Sequence, residues 1–270
     1  MSLSPVQFAL LANAVRAAPS LLNARTCRLR VVANRAELYG VPPAPAEASR
    51  RLSTISCGAA LRNLELAVRR LGFVPQILEL PDRANPSHVA TVLVGAGAGC
   101  TVAEDRLYRA AFGGLAHRGP MASRPVPPAL AMQLHAAGQA PGVATLLVGG
   151  AQVRVIAGVL AAGEPRPAGE PLPAGELGRG RSLLVTTVDD GPADWLRAGQ
   201  ALQNAWLTGA TFGLVGRVIG APVQAPGVRS GLIESLGLAG CPQVVLRLGW
   251  PGGSGGIDPD SQQATPSWDG

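Results

Sequence analysis

The feature that most constrains the fold of this 270-residue chain is an internal repeat. The stretch CGAALRNLELAVRRLGF, residues 57–73, aligns with AGQALQNAWLTGATFGL, residues 198–214, at a shift of 141. When the alignment is continued to residue 81, eight of 25 positions are identical. Self-similarity at a fixed offset predicts two structural units with a common plan. The identical pairs are Gly58/Gly199, Ala60/Ala201, Leu61/Leu202, Asn63/Asn204, Leu66/Leu207, Gly72/Gly213, Val74/Val215 and Pro81/Pro222.

Both copies of the repeat predict a helix. In the first copy, apolar residues recur from Ala60 to Leu71 with the spacing of a wide helical face, and Gly72 is a typical helix stop. The second copy predicts a helix over 194–214. We interpret the repeat as a tandem duplication whose two central helices face each other, which places a homodimer-like contact inside one chain. The alternative is two unrelated Ala- and Leu-rich helices in a chain rich in both residues.

Further elements follow from local patterns on either side of these helices. We predict three domains: a first half over 1–112, a second half over 113–250 and a flexible tail over 251–270. Periodicity and strand propensity predict helices over 6–18 and 127–138, strands at 27–33, 76–81, 88–95, 145–149, 181–188 and 243–249, and turn-rich connectors at 40–49 and 163–181. The apolar segment QVRVIAGVL, 152–160, fits either a helix or a strand.

Composition limits the chemistry that this chain can perform. Hydrophobic residues make up 47% and charged residues 15%, which is enough apolar material for a sizeable core. All 23 basic residues are arginine, so neither a Schiff-base lysine nor a P-loop lysine is available. The net charge of +6 comes from dispersed arginines without an aromatic-basic motif, so no nucleic-acid partner is expected.

The four cysteines are far apart in sequence and form no C-x-x-C pair. Because the chain also has only three histidines, the cysteines predict no metal site. They predict reduced, mostly buried thiols in a cytoplasmic protein. Cys57 follows Ser56 near a predicted helix N-terminus, a position that can lower a thiol pKa, although a packed cysteine is the simpler interpretation. No run is apolar enough for a membrane span, and the first residues lack a basic signal-peptide region.

HVATVLVGAGAGC, residues 88–100, imitates a dinucleotide-binding strand and glycine loop. Gly95 and Gly97 fit the first two glycines of that motif, but Cys100 stands where the third belongs. A hairpin or turn is therefore the preferred interpretation of this stretch.

Four segments together resemble a known family. They are ISCGAALRNLELAVRRLG (55–72), HRGPMASRPVPPAL (117–130), DWLRAGQALQNAWLTGATFGL (194–214) and GLIESLGLAGCPQVVLRLG (231–249). They resemble the Acg-type branch of the nitroreductase-like flavoproteins, in which two nitroreductase-like halves are fused. The resemblance implies an α+β fold, an intrachain pseudo-dimer around paired central helices, and a monomer. It also implies FMN between the halves, with hydride passing from NAD(P)H through the flavin to a small electron-poor acceptor.

The first cofactor segment of that family usually reads P-S-x-x-N-x-Q-P-W, and this chain has PSLLNARTCR at 19–28. Ser20 and Asn23 match, whereas Arg25 replaces the glutamine. The resemblance implies that Ser20, Asn23 and Arg25 contact flavin. For Asn23 the alternative is a turn or helix cap.

The second cofactor segment usually reads R-x-T-x-R-G-P, and this chain has GLAHRGP at 114–120. Arg118 matches and is implied to hold the phosphate, but Gly114 and Ala116 replace an arginine and a hydroxyl. Arg118 could instead brace a surface loop. The C-terminal T-P-R of many members reads Thr-Pro-Ser at 265–267 here.

The missing phosphate ligands leave two functions open. The first is an FMN-dependent oxidoreductase, in which Arg25, Arg217 or Arg247 compensates for the lost arginine. The second is a flavin-poor pseudo-enzyme of the same fold that stores flavin or binds a protein. No side chain is assigned as acid, base or nucleophile, because hydride chemistry rests on the cofactor.

Overall fold

The computed structural model describes residues 3–22, 27–40, 47–113, 121–162 and 180–252. We call the part up to α3 the first half and the part from α4 onward the second half. The helices are α1 (Pro5–Arg16), α2 (Glu47–Arg70), α3 (Val102–Ala110), α4 (Pro128–Ala137), α5 (Gly150–Ala162), α6 (Pro192–Thr211) and α7 (Pro226–Leu236). The strands are β1 (Cys27–Val32), β2 (Arg35–Gly40), β3 (Phe73–Glu79), β4 (His88–Ala96), β5 (Val143–Val148), β6 (Arg181–Thr187), β7 (Val215–Ile219) and β8 (Cys241–Gly249).

Each half contains one four-stranded antiparallel sheet, and the two sheets have the same topology. The strand order is β1-β2-β4-β3 in the first sheet and β5-β6-β8-β7 in the second. In both sheets the pair of inner strands has one register irregularity, at Leu38/Tyr39 and at Val185/Thr186. The repeat therefore extends beyond the central helices to the path of the chain through each sheet.

The central helices α2 and α6 pack against each other between the two sheets. At their closest approach, a Cβ placed on Gly58 would overlap the carbonyl oxygen of Leu196, and a Cβ on Gly199 would overlap that of Ile55. Ile55 and Leu196 are also paired by the shift of 141. Ile55 packs in the apolar core of the second half and Leu196 in that of the first, so each helix completes the other's core.

Polar side chains reinforce the helix pair in a reciprocal way. Gln203 Nε2 donates to Asn63 Oδ1 at 2.9 Å, and Arg62 Nε donates to Asn204 Oδ1 at 3.1 Å. The shift of 141 relates Arg62 to Gln203 and Asn63 to Asn204. Each asparagine also donates to the first helix of its own half, Asn63 to the Ala14 carbonyl at 3.0 Å and Asn204 to the Ala137 carbonyl at 2.8 Å.

Both central helices end in the same way. Gly72 and Gly213 adopt positive φ values of 87° and 82°, in the left-handed region that a glycine enters without strain. The strands β3 and β7 begin one or two residues later. The predicted glycine stop at Gly72 is thereby confirmed, and the second helix, predicted to reach residue 214, ends three residues earlier at Thr211.

Several sequence predictions need correction. The connector at 40–49 is shorter than predicted, because β2 runs to Gly40 and α2 begins at Glu47. Cys57 therefore lies in the middle of α2, and the hypothesis of a helix N-terminus beside it is wrong. The segment at 152–160 is helical, as part of α5. The elements β2, α3 and α7 were not predicted, although α3 is strongly amphipathic and begins at a capping box formed by Thr101 and Glu104.

The other predicted elements are confirmed to within three residues at their ends, including α1, α4 and the strands β1, β3, β4, β5, β6 and β8. The strand β4 lies antiparallel between β2 and β3, which agrees with setting aside the dinucleotide-binding motif. Residues 163–179 of the predicted linker at 163–181, residues 253–270 of the predicted tail at 251–270, and the segment 114–120 lie outside the described residues.

Candidate functional site between the two halves

The packing of α2 against α6 creates two equivalent sites between the halves. Each site combines three parts. One half supplies a residue of its central helix and the loop after its first helix, α1 or α4, and the opposite half supplies the end of a strand, β7 or β3. In the first site these are Ser56, Gly220 and Leu21, and we call it the Gly220 site. In the second they are Arg197, Glu79 and Pro141, and we call it the Glu79 site. The shift of 141 relates Ser56 to Arg197 and Glu79 to Gly220.

The Gly220 site brings together three segments of the chain. The backbone N–H of Leu21 donates to Ser56 Oγ at 3.0 Å, which holds the loop after α1 on the central helix. Ser56 in turn donates to the Leu52 carbonyl at 2.8 Å. A Cβ on Gly220 would lie 2.9 Å from Cδ2 of Leu52 and 3.3 Å from Cδ2 of Leu21. The site is therefore apolar, narrow and lined by backbone where Gly220 lacks a side chain.

The Glu79 site is occupied by an ion pair. Arg197 Nε and Nη2 donate to Glu79 Oε2 at 2.9 and 2.6 Å. The hydrogen bond to Glu79 raises the pKa of Arg197, so the guanidinium keeps its charge. An open groove of about 580 Å³ lies beside the pair, and a smaller hollow of about 220 Å³ reaches Pro141 and Gln200. The two equivalent sites thus differ sharply in charge and in the size of their central side chains.

A polar cluster lies next to the Gly220 site, around Asp190, which is partly exposed and precedes α6 by two residues. Arg51 Nη2 and Arg229 Nη2 donate to Asp190 Oδ2 at 2.8 and 2.7 Å. Trp195 Nε1 and Gln243 Nε2 donate to Asp190 Oδ1 at 2.9 and 3.0 Å. We call these five residues the Asp190 cluster. Since Arg51 belongs to α2 and the other four to the second half, the cluster joins the two halves.

Electrostatics in the Asp190 cluster favour a charged carboxylate. Burial alone would raise the pKa of Asp190, but hydrogen bonds from Gln243 and Trp195 and the two guanidinium charges outweigh burial and lower it. Burial and repulsion from Arg229 lower the pKa of Arg51. Arg51 also contacts the ring face of Trp195, with Cζ 4.9 Å from the ring centroid. The cluster is a structural brace rather than a set of free ligand-binding charges.

Of the four sequence-predicted flavin contacts, Ser20 lies in the described part of the chain. Its Oγ accepts a long hydrogen bond of 3.4 Å from the Leu22 N–H, one residue away from the Gly220 site. Asn23, Arg25 and Arg118 lie outside the described residues, so their predicted roles stay predictions.

Arg217 and Arg247, the proposed substitutes for a lost phosphate ligand, lie directly opposite each other on β7 and β8. Residue alternation places them on the sheet face that also carries Ile219 and Val245. That face is covered by α5 and α7 and lies away from the central helices. The structure therefore does not bring these two arginines together with Leu21 and Ser56.

Sequence analysis missed the residues that shape both sites. The pairs Ser56/Arg197 and Glu79/Gly220 differ in size and charge between the two copies, but so do other pairs such as Glu65/Trp206 and Arg69/Ala210. The sequence therefore does not indicate which of these differences meet at one site. The Asp190 cluster carries no sequence signal either, because its members are scattered in sequence.

No protein-family model matches the chain, and no curated protein matches it. Solved structures do match. A "putative nitroreductase" from Anabaena variabilis is 11% identical, with a TM-score of 0.58 over 92% of this chain and 74% of its own. A nitroreductase with bound FMN from Bacteroides fragilis is 14% identical, with a TM-score of 0.44 over 55% of this chain and 89% of its own. An NADPH:FMN oxidoreductase from Vibrio harveyi, complexed with NAD⁺, is 16% identical, with a TM-score of 0.41 over 54% and 69%.

The likeness to the Anabaena protein extends over nearly the whole chain. Together with the two antiparallel sheets and the helices around them, it shows that this chain has a nitroreductase-like α+β fold. The predicted fold class is thereby confirmed.

Among the described residues, no helix is both long and apolar enough to cross a membrane. In the same part of the chain, no group of three or more His, Cys, Asp or Glu residues is arranged to hold a metal ion.

Proposed function

We propose that this chain is an FMN-binding, nitroreductase-like oxidoreductase that transfers hydride from NAD(P)H through flavin to an electron-poor acceptor. The observation that carries this proposal is the nitroreductase-like fold over 92% of the chain. The structural neighbours include a nitroreductase with bound FMN and an NADPH:FMN oxidoreductase. When bound, FMN supplies a ring that accepts hydride and passes it on.

The Gly220 site is the place where we expect the flavin ring. Leu21, Leu52 and the bare backbone at Gly220 give this site an apolar lining, which a flat, mostly apolar ring would meet once the two leucine side chains moved aside. The backbone around Gly220 offers hydrogen-bonding groups without side-chain bulk. Ser20 and Asn23 would contact the ring from the loop after α1, and Arg25 and Arg118 would hold the phosphate by charge-assisted hydrogen bonds.

The difference between the two sites supports one flavin per chain. The Arg197–Glu79 pair fills the Glu79 site with two long side chains, whereas the Gly220 site has Ser56 and Gly220 at the same positions. Displacing the pair would expose two charges to an apolar ring, which is unfavourable. We infer that the chain is a tandem pseudo-dimer, with halves at 1–112 and 113–250, that keeps one of two ancestral sites.

The alternative function is a flavin-poor pseudo-enzyme of the same fold that stores flavin or binds a protein. One observation favours it: Leu21 and Leu52 both reach over Gly220, so a ring there must displace them. In addition, Arg51, which precedes the Leu52 of the Gly220 site, and Arg197 of the Glu79 site are already paired with carboxylates.

Visible absorption distinguishes the two functions. Full-length protein is purified and its spectrum recorded with and without added FMN; bound flavin absorbs at about 450 nm. Protein that neither retains nor binds FMN would exclude the oxidoreductase. If FMN binds, oxidation of NADH or NADPH with a nitroaromatic or a quinone tests catalysis, and inertness would favour storage.

A pair of variants tests the location of the flavin. Gly220→Val adds bulk directly against Leu52 and Leu21, which keeps a ring from taking their place, and is expected to weaken FMN binding at least about tenfold, which corresponds to about 1.4 kcal/mol. Gly227→Val is the matched control on α7, where a Cβ would meet nothing within 4 Å. Equal FMN affinity in both variants would contradict the assignment to the Gly220 site.

A further inference from the structure

Cys27 and Cys57 lie side by side between the first sheet and α2. Cys27 is the first residue of β1 and pairs with Gly40 in β2. A Cβ on Gly40 would lie 3.7 Å from Sγ of Cys57. Because opposed residues of an antiparallel pair project to the same face, with Cβ atoms about 4.5–5.5 Å apart, the Cys27 side chain is carried to the same place.

The packing of β1 supports this placement. Shielded and exposed residues alternate along the strand, and Cys27 lies on the shielded face with Leu29 and Val31. All three pack against the apolar cluster that contains Cys57. The thiols of Cys27 and Cys57 hydrogen bond to each other, so the two sulfur atoms are neighbours.

The two thiols differ in access. Cys57 is fully buried at 0% exposure, whereas Cys27 is partly exposed at the edge of the first half. The hydrogen bond with Cys27 and burial raise the pKa of Cys57 well above its usual range. A dissolved oxidant therefore reaches Cys27 first, and the protonated thiol of Cys57 lies directly behind it.

We propose that Cys27 and Cys57 form an oxidation site, which closes to an intrachain disulfide when the protein meets a peroxide. The Cys27 sulfur attacks one peroxide oxygen, the O–O bond breaks, and Cys27 sulfenic acid and one water form. The Cys57 sulfur then attacks the Cys27 sulfur, the S–O bond breaks, and the second water leaves with the Cys57 proton. In total, two thiols lose two protons and two electrons, and hydrogen peroxide becomes two waters.

The product would tie the first strand covalently to the central helix. The pair uses neither the Gly220 site nor the Asp190 cluster, so the inference holds whether or not the chain binds flavin. Cys100 and Cys241, the other two cysteines, lie elsewhere in the described structure and serve as internal references.

Peptide mapping of the full-length protein tests the proposal. The protein is treated with hydrogen peroxide, alkylated under denaturing conditions and digested with trypsin. The expected product joins peptides 26–28 (TCR) and 52–62 (LSTISCGAALR), with a mass about 2 Da below their sum, and dithiothreitol separates them. Two of the four thiols should become resistant to alkylation.

Variants identify the order of the steps. Cys100→Ser should leave the linked peptide unchanged, whereas Cys27→Ser should abolish it. In Cys57→Ala, Cys27 should accumulate as a sulfenic acid that dimedone traps. Because Cys57 is buried and its replacement can impair folding, the wild-type map and the Cys27→Ser variant decide the question by themselves. Both peptides recovered fully alkylated after peroxide, or linked instead to Cys100 or Cys241, would overturn the proposal.

Discussion

Gly58 and Gly199 touch across the crossing point of the two central helices. A Cβ on either glycine would lie 2.9 Å from the Cα of the other and would overlap a backbone carbonyl oxygen of the opposite helix. The two glycines are an identical pair of the internal repeat, at the shift of 141. A glycine is needed at both positions because the backbones of α2 and α6 approach too closely for any side chain.

Gly58→Ala is expected to destabilise the protein by about 3 kcal/mol, because the added methyl group meets backbone that cannot rotate away. Urea denaturation followed by circular dichroism measures this loss. Gly158→Ala is the matched control on α5, where a Cβ would meet nothing within 4 Å. There the better helix propensity of alanine should stabilise by about 0.5–1 kcal/mol. Equal stability of Gly58→Ala and wild type would contradict the close crossing.

The Asn63–Gln203 hydrogen bond should couple the two halves energetically. Asn63→Ala leaves the buried Gln203 amide and the Ala14 carbonyl without their partner, and should cost about 2 kcal/mol. A double-mutant cycle with Gln203→Ala should give a coupling energy of about 1 kcal/mol. Additive losses in the two single variants would show that the bond contributes nothing across the interface.

Gly213→Ala should destabilise the end of α6. Alanine at the φ of 82° enters the left-handed region at a cost of about 1–2 kcal/mol. Gly72→Ala should cost a similar amount at the end of α2. Gly99→Ala is the comparison, because a Cβ there meets nothing within 4 Å and Gly99 does not have a positive φ. The midpoint of thermal unfolding reports all three changes; no difference between Gly213→Ala and Gly99→Ala would contradict the expectation.

The Asp190 cluster should make stability depend on acid pH. The pKa of Asp190 is lower in the folded protein than in the unfolded chain, where an aspartate has a pKa of about 3.9. Its contribution is therefore fully present above about pH 4 and is lost as the pH falls through the lower, folded-state pKa. Urea denaturation of wild type and Asp190→Asn, between neutral and acid pH, measures the effect. The difference in stability between the two proteins should shrink toward low pH, and a constant difference would exclude this role.

Much of the fold could be predicted from short stretches of the sequence. The periodicity of Ala60 to Leu71 and the glycine at 72 predicted a helix and its end, and the equal spacing at 198–214 predicted a second one. The facing of α2 and α6 followed because a repeated wide apolar face must be buried against something. The short elements β2 and α7 were missed because their sequences are compatible with more than one local structure, whereas α3 was missed although its sequence carries a capping box at Thr101 and Glu104.

The candidate site was accessible only in part. Ser20 belongs to a recognisable loop, and the structure places its neighbour Leu21 beside Ser56 and Gly220. The asymmetry between the Gly220 and Glu79 sites escaped notice, since it depends on which residues meet across the helix pair. The Asp190 cluster joins Arg51 to residues more than a hundred positions away, a relation that no local pattern expresses.

The sequence by itself determined the two-part plan, because apolar spacing and left-handed glycines act within a few residues of the chain. Only the tertiary structure decided which side chains face each other. Cys27 and Cys57 are thirty residues apart and looked like isolated thiols. They become neighbours because Cys27 faces inward from β1, and α2 packs on that face of the sheet.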